Sequence, residues 1–175
     1  MFVDPEKTLD TLNIIPGMSV ADFGCGSGYY TISLSRRVSE KGSVYAVDIQ
    51  KSVLDKLSKE AEDRNLDNVE FILGDIEKEV GSKLADNSMD AVIVSNILFQ
   101  IEDKEAFVRE VARIIKKGGK ALIVDWADSF GGLGPQPEYI FPSDKAKELF
   151  EKSGLKLERE FDPGAHHFAL IFNKT

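Results

Sequence analysis

Short apolar runs alternate with longer amphipathic stretches along most of the chain. Residues 18–23, 43–48, 69–74, 91–95 and 120–125 are nearly continuous apolar segments of strand length. Runs of this kind mark strands covered on both faces, as in a parallel sheet. Between them the apolar period becomes helical. Residues 29–38 lead into Glu40-Lys41-Gly42, a helix stop. Residues 52–64 place Val53, Leu54, Leu57 and Ala61 on one face. Residues 103–117 carry Phe107, Val108, Val111, Ile114 and Ile115 at helical spacing, then a cationic last turn and Gly118-Gly119. Strand–helix alternation of this spacing predicts right-handed crossovers.

The pattern changes after Asp125. Residues 129–137 are rich in glycine and proline and predict no regular element. A helix is predicted over 143–153, stopped by Gly154. Residues 156–161 and 167–172 flank Asp162-Pro163-Gly164-Ala165, a turn between antiparallel strands. Before the first strand only residues 5–13 offer a short helix. No repeat or low-complexity tract interrupts the pattern. The expectation is one domain over residues 1–175. Its fold class is α/β, with a doubly wound, mostly parallel seven-stranded sheet and a closing antiparallel hairpin.

Composition narrows the function classes. The 175 residues are 42% hydrophobic, which fits a packed core rather than a disordered chain. Lys and Arg number 22 against 30 Asp and Glu, a net charge of −8 that disfavours nucleic acid and anionic membrane as partners. A single cysteine forms no internal disulfide and no cysteine-rich zinc site, so no metal is expected and a reducing, cytoplasmic setting is. Residues 1–6 lack the cationic start and apolar block of a leader. The longest uncharged apolar run, 91–101, is shorter than the about 20 residues a bilayer requires, so no membrane insertion is expected.

The strongest chemical signal is Val20-Ala21-Asp22-Phe23-Gly24-Cys25-Gly26-Ser27-Gly28. A glycine loop between strand and helix lets a ligand approach the backbone, and the helix start offers free N–H groups to an anion. Asp48 ends the next strand 20 residues after Gly28, the spacing of a ribose-binding carboxylate in a Rossmann-type unit. A nicotinamide fingerprint needs a small residue where this chain has Tyr29, and it does not call for the acid at 22.

The run Asp22-x-Gly24-x-Gly26-x-Gly28 resembles the first motif of class I S-adenosylmethionine-dependent methyltransferases. The resemblance continues in chain order. Asp48, with Ile49 beside it, matches the acid that binds the ribose hydroxyls. Gly74-Asp75-Ile76 resembles the pair that reads adenine. Ser95-Asn96-Ile97-Leu98-Phe99 stands where the fourth motif does, and Ile115 to Lys120 resembles the segment leading to the fifth strand. The motifs cover about residues 20–125, and the small ubiquinone-biosynthesis-like, type 11 branch is the nearest in look. The resemblance implies S-adenosylmethionine as cofactor, held by Asp22, Gly24, Gly26, Gly28, Asp48, Ile49, Asp75, Ile76, Ser95 and Asn96. It also implies a methyl acceptor, either a small molecule or a protein side chain.

In an open parallel sheet, ligands bind beyond the carboxyl ends of the strands. Those ends carry Asp22, Asp48, Asp75, Asn96, Asp125 and Trp126. A returning antiparallel strand would start on the same rim, at His166-His167, with one histidine per face. Asn96, Trp126 and one of His166 and His167 are therefore the candidates for the acceptor pocket and for catalysis. With so little chain before the first strand, the pocket is expected to be open, covered by residues 129–137, or completed by a second subunit in a homodimer.

Plainer readings stand beside these. Asp22 also suits a turn-fixing role, Asp48 a helix cap, and Asp75 the cap of a short helix at 76–80. Cys25 reads as a packing residue, Trp126 more as a packed rim aromatic than as a substrate shelf, and His166 and His167 more as structural residues than as a site. Arg113, Lys116, Lys117 and Lys120 read as a solvated helix end. Two other functions remain open: an NAD-dependent oxidoreductase, and a nucleoside-binding module that transfers nothing. Position 95–99 lacks the Asn/Asp-Pro-Pro-aromatic motif, and no Pro-Cys nucleophile occurs, which disfavours nucleic-acid bases as acceptors.

Overall fold

The apolar runs become strands β1 (Ser19–Phe23), β2 (Ser43–Asp48), β3 (Val69–Leu73), β4 (Met89–Ser95) and β5 (Ile115–Trp126) in a computed structural model that describes residues 3–175. Met1 and Phe2, on which the leader reading began, lie outside the described residues. β6 (Leu155–Phe161) and β7 (His167–Lys174) complete one seven-stranded sheet of order β3-β2-β1-β4-β5-β7-β6. The first five strands pair in parallel, and β7 runs antiparallel to both β5 and β6. This is the doubly wound sheet with a closing hairpin that the pattern predicts.

Helices α1 (Pro5–Asp10), α2 (Tyr29–Val38), α3 (Lys51–Asp63), α4 (Lys104–Ile114) and α5 (Ser143–Lys152) cover the two faces. Side chains alternate along each strand, so each strand feeds both layers. Ala21 and Phe23 of β1 join Phe107, Val111, Ile114 and Phe150 on the α4/α5 side. Val20 joins Leu9, Leu34 and Val38 on the α1/α2 side, and Leu54 and Leu57 of α3 pack with Cys25 and Ala46. The Asp103 carboxylate caps α4 by accepting from the Ala106 N–H at 2.9 Å. Among the described residues no helix is long and apolar enough to cross a membrane.

Five local expectations are corrected. α4 stops at Ile114 rather than Lys117, because Ile115 already pairs with Met89 of β4, and Gly118-Gly119 lies inside β5 at a register shift. Arg113 is no solvated cation. It donates to Glu110, Asp86 and the Leu84 carbonyl, and its side chain is only 18% exposed. Residues 76–80 form turns rather than a short helix, and α1 ends at Asp10. His166 is not a strand residue. Its φ of +67° sets it outside the extended region, and β7 begins one position later.

Candidate active site

A cavity of about 500 Å³ opens at the carboxyl ends of β1, β2, β3 and β4, within the roughly 300–1,000 Å³ of small-molecule sites. Its wall includes Asp22, Gly24, Gly26, Asp48, Ile49, Asp75, Ile76, Ser95 and Asn96, all singled out by the sequence motifs. Gly28 stands behind the wall as the residue preceding α2, where its missing side chain makes room for Leu57.

Each acid has a different setting. Asp22 is 2% exposed and accepts the Thr31 hydroxyl at 2.6 Å. Burial raises its pKa from 3.8 to about 6, against the opposing pull of the Thr31 hydroxyl and N–H. Asp22 thus fixes the start of α2 and also faces the cavity. Asp48 accepts the Gln50 N–H at 2.9 Å and the Gly26 N–H at 3.3 Å. That occupies two of its about four lone-pair sites and leaves capacity for donors in the cavity. Asp75 accepts the Glu77 N–H at 3.1 Å and shapes the turn after β3. Burial pushes the Cys25 thiol up, next to Asp22 and Asp48, so it stays protonated and packs.

Asp125 does something the sequence did not reveal. Its Oδ2 accepts the N–H groups of Ile97 and Leu98 at 3.0 and 2.8 Å, and its Oδ1 that of Trp126 at 2.8 Å. It holds the turn after β4, where Asn96 sits at φ +55°. Burial raises its pKa to about 6, and these backbone donors oppose that rise. Several wall residues went unmarked by the motifs, among them Val3, Pro5 and Tyr30. Val3 and Pro5 bring the segment at α1 to the cavity, and Tyr30 lies beneath it. The Tyr30 hydroxyl is buried, faces the Thr8 and Ser95 hydroxyls without a hydrogen bond to either, and is pushed up to about 12 by burial. The only sequence signal for these was a Tyr-Tyr-Thr start on α2.

Trp126, His166 and His167 do not line this cavity. Trp126 and His167 pair across β5 and β7 with ring centroids 4.2 Å apart. His166 turns instead to Asp128 and stacks on Phe130. Of the acceptor candidates, only Asn96 reaches the cavity wall.

A family profile described as a methyltransferase domain matches residues 14–159. The chain belongs to the methyltransferase-domain family. The methyltransferase is 29% identical over 176 residues to a demethylmenaquinone methyltransferase of Geobacillus sp. (strain WCH70), covering 95% of this chain and 74% of that one. A relative of the same description from Bacillus mycoides (strain KBAB4) is 25% identical over 179 residues, 97% of this chain and 74% of the relative. The crystal structure of a SAM-dependent methyltransferase from Aquifex aeolicus superposes with a TM-score of 0.90 at 28% identity, covering 99% of this chain and 90% of that one. The protein is a class I, type 11-like methyltransferase, an enzyme whose cofactor is S-adenosylmethionine.

The cavity's chemistry fits that cofactor. Carboxylates at 22, 48 and 75 suit its cationic groups and its ribose and adenine donors, and Ile49, Val53 and Ile76 supply apolar wall for a purine. At Gly26 a Cβ would meet nothing closer than 3.7 Å, so the backbone there presents open space to a ligand.

Proposed function

We propose that the methyltransferase acts on a small hydroxylated aromatic ring of the naphthoquinol type. The observation that carries this reading is the likeness, over almost the whole chain, to demethylmenaquinone methyltransferases. The cavity wall supports it, because Val3, Tyr29, Ile97 and Ile101 contribute apolar and aromatic lining.

S-adenosylmethionine supplies a methyl group on a sulfonium already activated for in-line displacement. The protein's own work is then mainly placement, which can supply much of a rate enhancement. In this reading Asp48 holds the ribose diol, and Asp75 with the Ile76 N–H holds the adenine edge. Asp22 and the start of α2 hold the amino-acid end, the carboxylate by the helix dipole. Asp125 fixes the turn that carries Asn96, and so sets the wall against which the acceptor rests.

Calorimetric titration with S-adenosylmethionine, S-adenosylhomocysteine and NADH tests the cofactor roles, with Asp48→Ala as control. Micromolar binding of the first two, lost in the variant, is the expected result. Binding of NADH alone refutes the site assignment. Mass-spectrometric detection of a methylated product from a short-chain demethylmenaquinol tests the acceptor, and absence of product at saturating cofactor refutes it.

A further inference from the structure

We propose that His167 accepts the proton released by the methyl acceptor, through its Nε2 atom, at the β5–β7 side of the site. The inference rests on the methyltransferase reading above.

The placement comes from register. Val124 pairs with Ser95, a wall residue of the cavity, and Trp126 stands two residues further along β5, opposite His167. Alternation puts Trp126 with Val124 and His167 with Ala169, and both of those belong to the α1/α2 layer that also holds Val20 and Ile93. Asp22 and Ser95 point to that same layer. The indole and imidazole therefore stand beside the cavity, outside its wall, on the face where the cofactor acids lie.

The ring is set up as a base. Its Nδ1 lies 2.9 Å from the Ala165 carbonyl oxygen, which can only accept, so Nδ1 carries the hydrogen. In the neutral ring Nε2 is then a bare lone pair. That atom is buried and has no hydrogen-bond partner among the described residues, and the residue is 7% exposed. A core histidine normally satisfies both nitrogens, since a buried unpaired acceptor is costly. The titratable groups facing His167 are His166 and Asp128, and burial holds its pKa below the ordinary histidine range. It is thus neutral at physiological pH, with its acceptor atom unused. The opposite strand end is covered by the loop: a Cβ at Gly134 would meet the Trp126 ring at 2.7 Å. For the acceptor's reacting edge to reach Nε2, that segment has to lift from the indole.

The balance is simple. The acceptor's O–H bond breaks and its proton passes to Nε2. The electron pair released into the ring forms the new carbon–carbon bond to the methyl group. The carbon–sulfur bond breaks with its pair going to sulfur, which loses its positive charge. The hydrogen on the methylated ring carbon then moves to the oxygen, and the imidazolium gives its proton to water. One proton leaves per methyl transferred, and no oxidant or reductant is needed.

Imidazole-¹⁵N NMR on the full chain is the first test. The expected spectrum shows His167 as the Nδ1–H neutral tautomer, titrating below the ordinary histidine range. In the S-adenosylhomocysteine complex, 1-naphthol as the probe hydroxyl should move the Nε2 signal toward its hydrogen-bonded value. A protonated or Nε2–H ring, or an Nε2 signal unmoved at saturating naphthol, overturns the proposal. The second test is His167→Gln. S-adenosylhomocysteine affinity and melting temperature should stay within experimental reach of the parent. Turnover of the short-chain demethylmenaquinol should fall about 10²–10⁴-fold, and the acidic limb of its pH–rate profile should vanish. Unchanged turnover, or an unchanged limb, overturns the proposal. If the parent turns over no naphthoquinol while naphthol still moves the Nε2 signal, the acceptor reading fails and the role of His167 stands.

Discussion

Replacing Gly28 by alanine loads the turn between β1 and α2 in a way that can be worked out in advance. At φ +76° the new Cβ would lie 2.0 Å from Leu57 Cδ1. Leu57 is 2% exposed and packed among Cys25, Ile32, Ala46 and Leu54, so it has little room to retreat. The left-handed backbone costs an alanine roughly 1–2 kcal/mol. Overpacking adds about 1–3 kcal/mol, for a total of roughly 2–5 kcal/mol. Gly26→Ala is the control. Its φ is +50°, but its Cβ meets nothing nearer than 3.7 Å, so only the backbone cost of roughly 1–2 kcal/mol applies. Urea denaturation should rank Gly28→Ala well below Gly26→Ala. Adding Leu57→Ala to Gly28→Ala should recover at least about 1 kcal/mol over the sum of the single changes, because each removes what the other collides with. Calorimetry should show the opposite order: Gly26→Ala loses at least tenfold in S-adenosylhomocysteine affinity while remaining folded. Equal stabilities for the two glycine variants, or strict additivity with Leu57→Ala, would refute the steric argument.

Other predictions follow from the buried acids and from one lysine. Burial raises Asp22 from 3.8 to about 6, so the folded protein binds more protons than the unfolded chain between these values. Stability from this site is full below about pH 4 and is lost as pH rises through about 6, on the order of 3 kcal/mol in all. Asp22→Asn should therefore gain on the parent in urea midpoint as pH rises from 4 to 7, and a pH-independent difference would contradict this. Asp125→Ala should loosen the turn carrying Asn96 by removing its two hydrogen bonds from Ile97 and Leu98, at a cost of about 1–3 kcal/mol. Faster amide exchange at Ile97 and Leu98 would show it, and unchanged exchange would count against it. Lys174→Met should cost about 1–2 kcal/mol in urea denaturation, because its ammonium donates to the Ala112 and Ile115 carbonyls and the Asn87 side chain where α4 meets β5.

The strands and the glycine loop were legible because each depends on a local rule. A continuous apolar run needs cover on both faces, and a glycine loop before a helix needs a ligand or a close neighbour. The α4–β5 junction was not legible. Ile114 and Ile115 are both fully buried, so an apolar pair there fits the end of a helix as well as the start of a strand. Only the Met89–Ile115 pairing decides. Arg113 was misread for a related reason: its partners Asp86 and Leu84 are remote in sequence. Asp125 looked like one more rim acid, yet its lone pairs serve the backbone of a neighbouring strand's turn. The two histidines were placed on the right rim, but the left-handed backbone at His166, which sends the pair to different partners, has no sequence signal.

The order of strands in the sheet has a consequence for biosynthesis. Among the described residues, those lining the cavity lie between Val3 and Ile101, whereas Trp126 and His167 come later and face each other only once β7 slots between β5 and β6. A nascent chain thus carries the described lining residues of the cavity while the unpaired margins of β5 and β6 still await their shared neighbour. Cofactor captured at that stage would steady the early half during translation. The facing pair Trp126 and His167 would be the last part assembled, so a ribosome-bound chain would hold the methyl donor before the strand that carries His167 was in place.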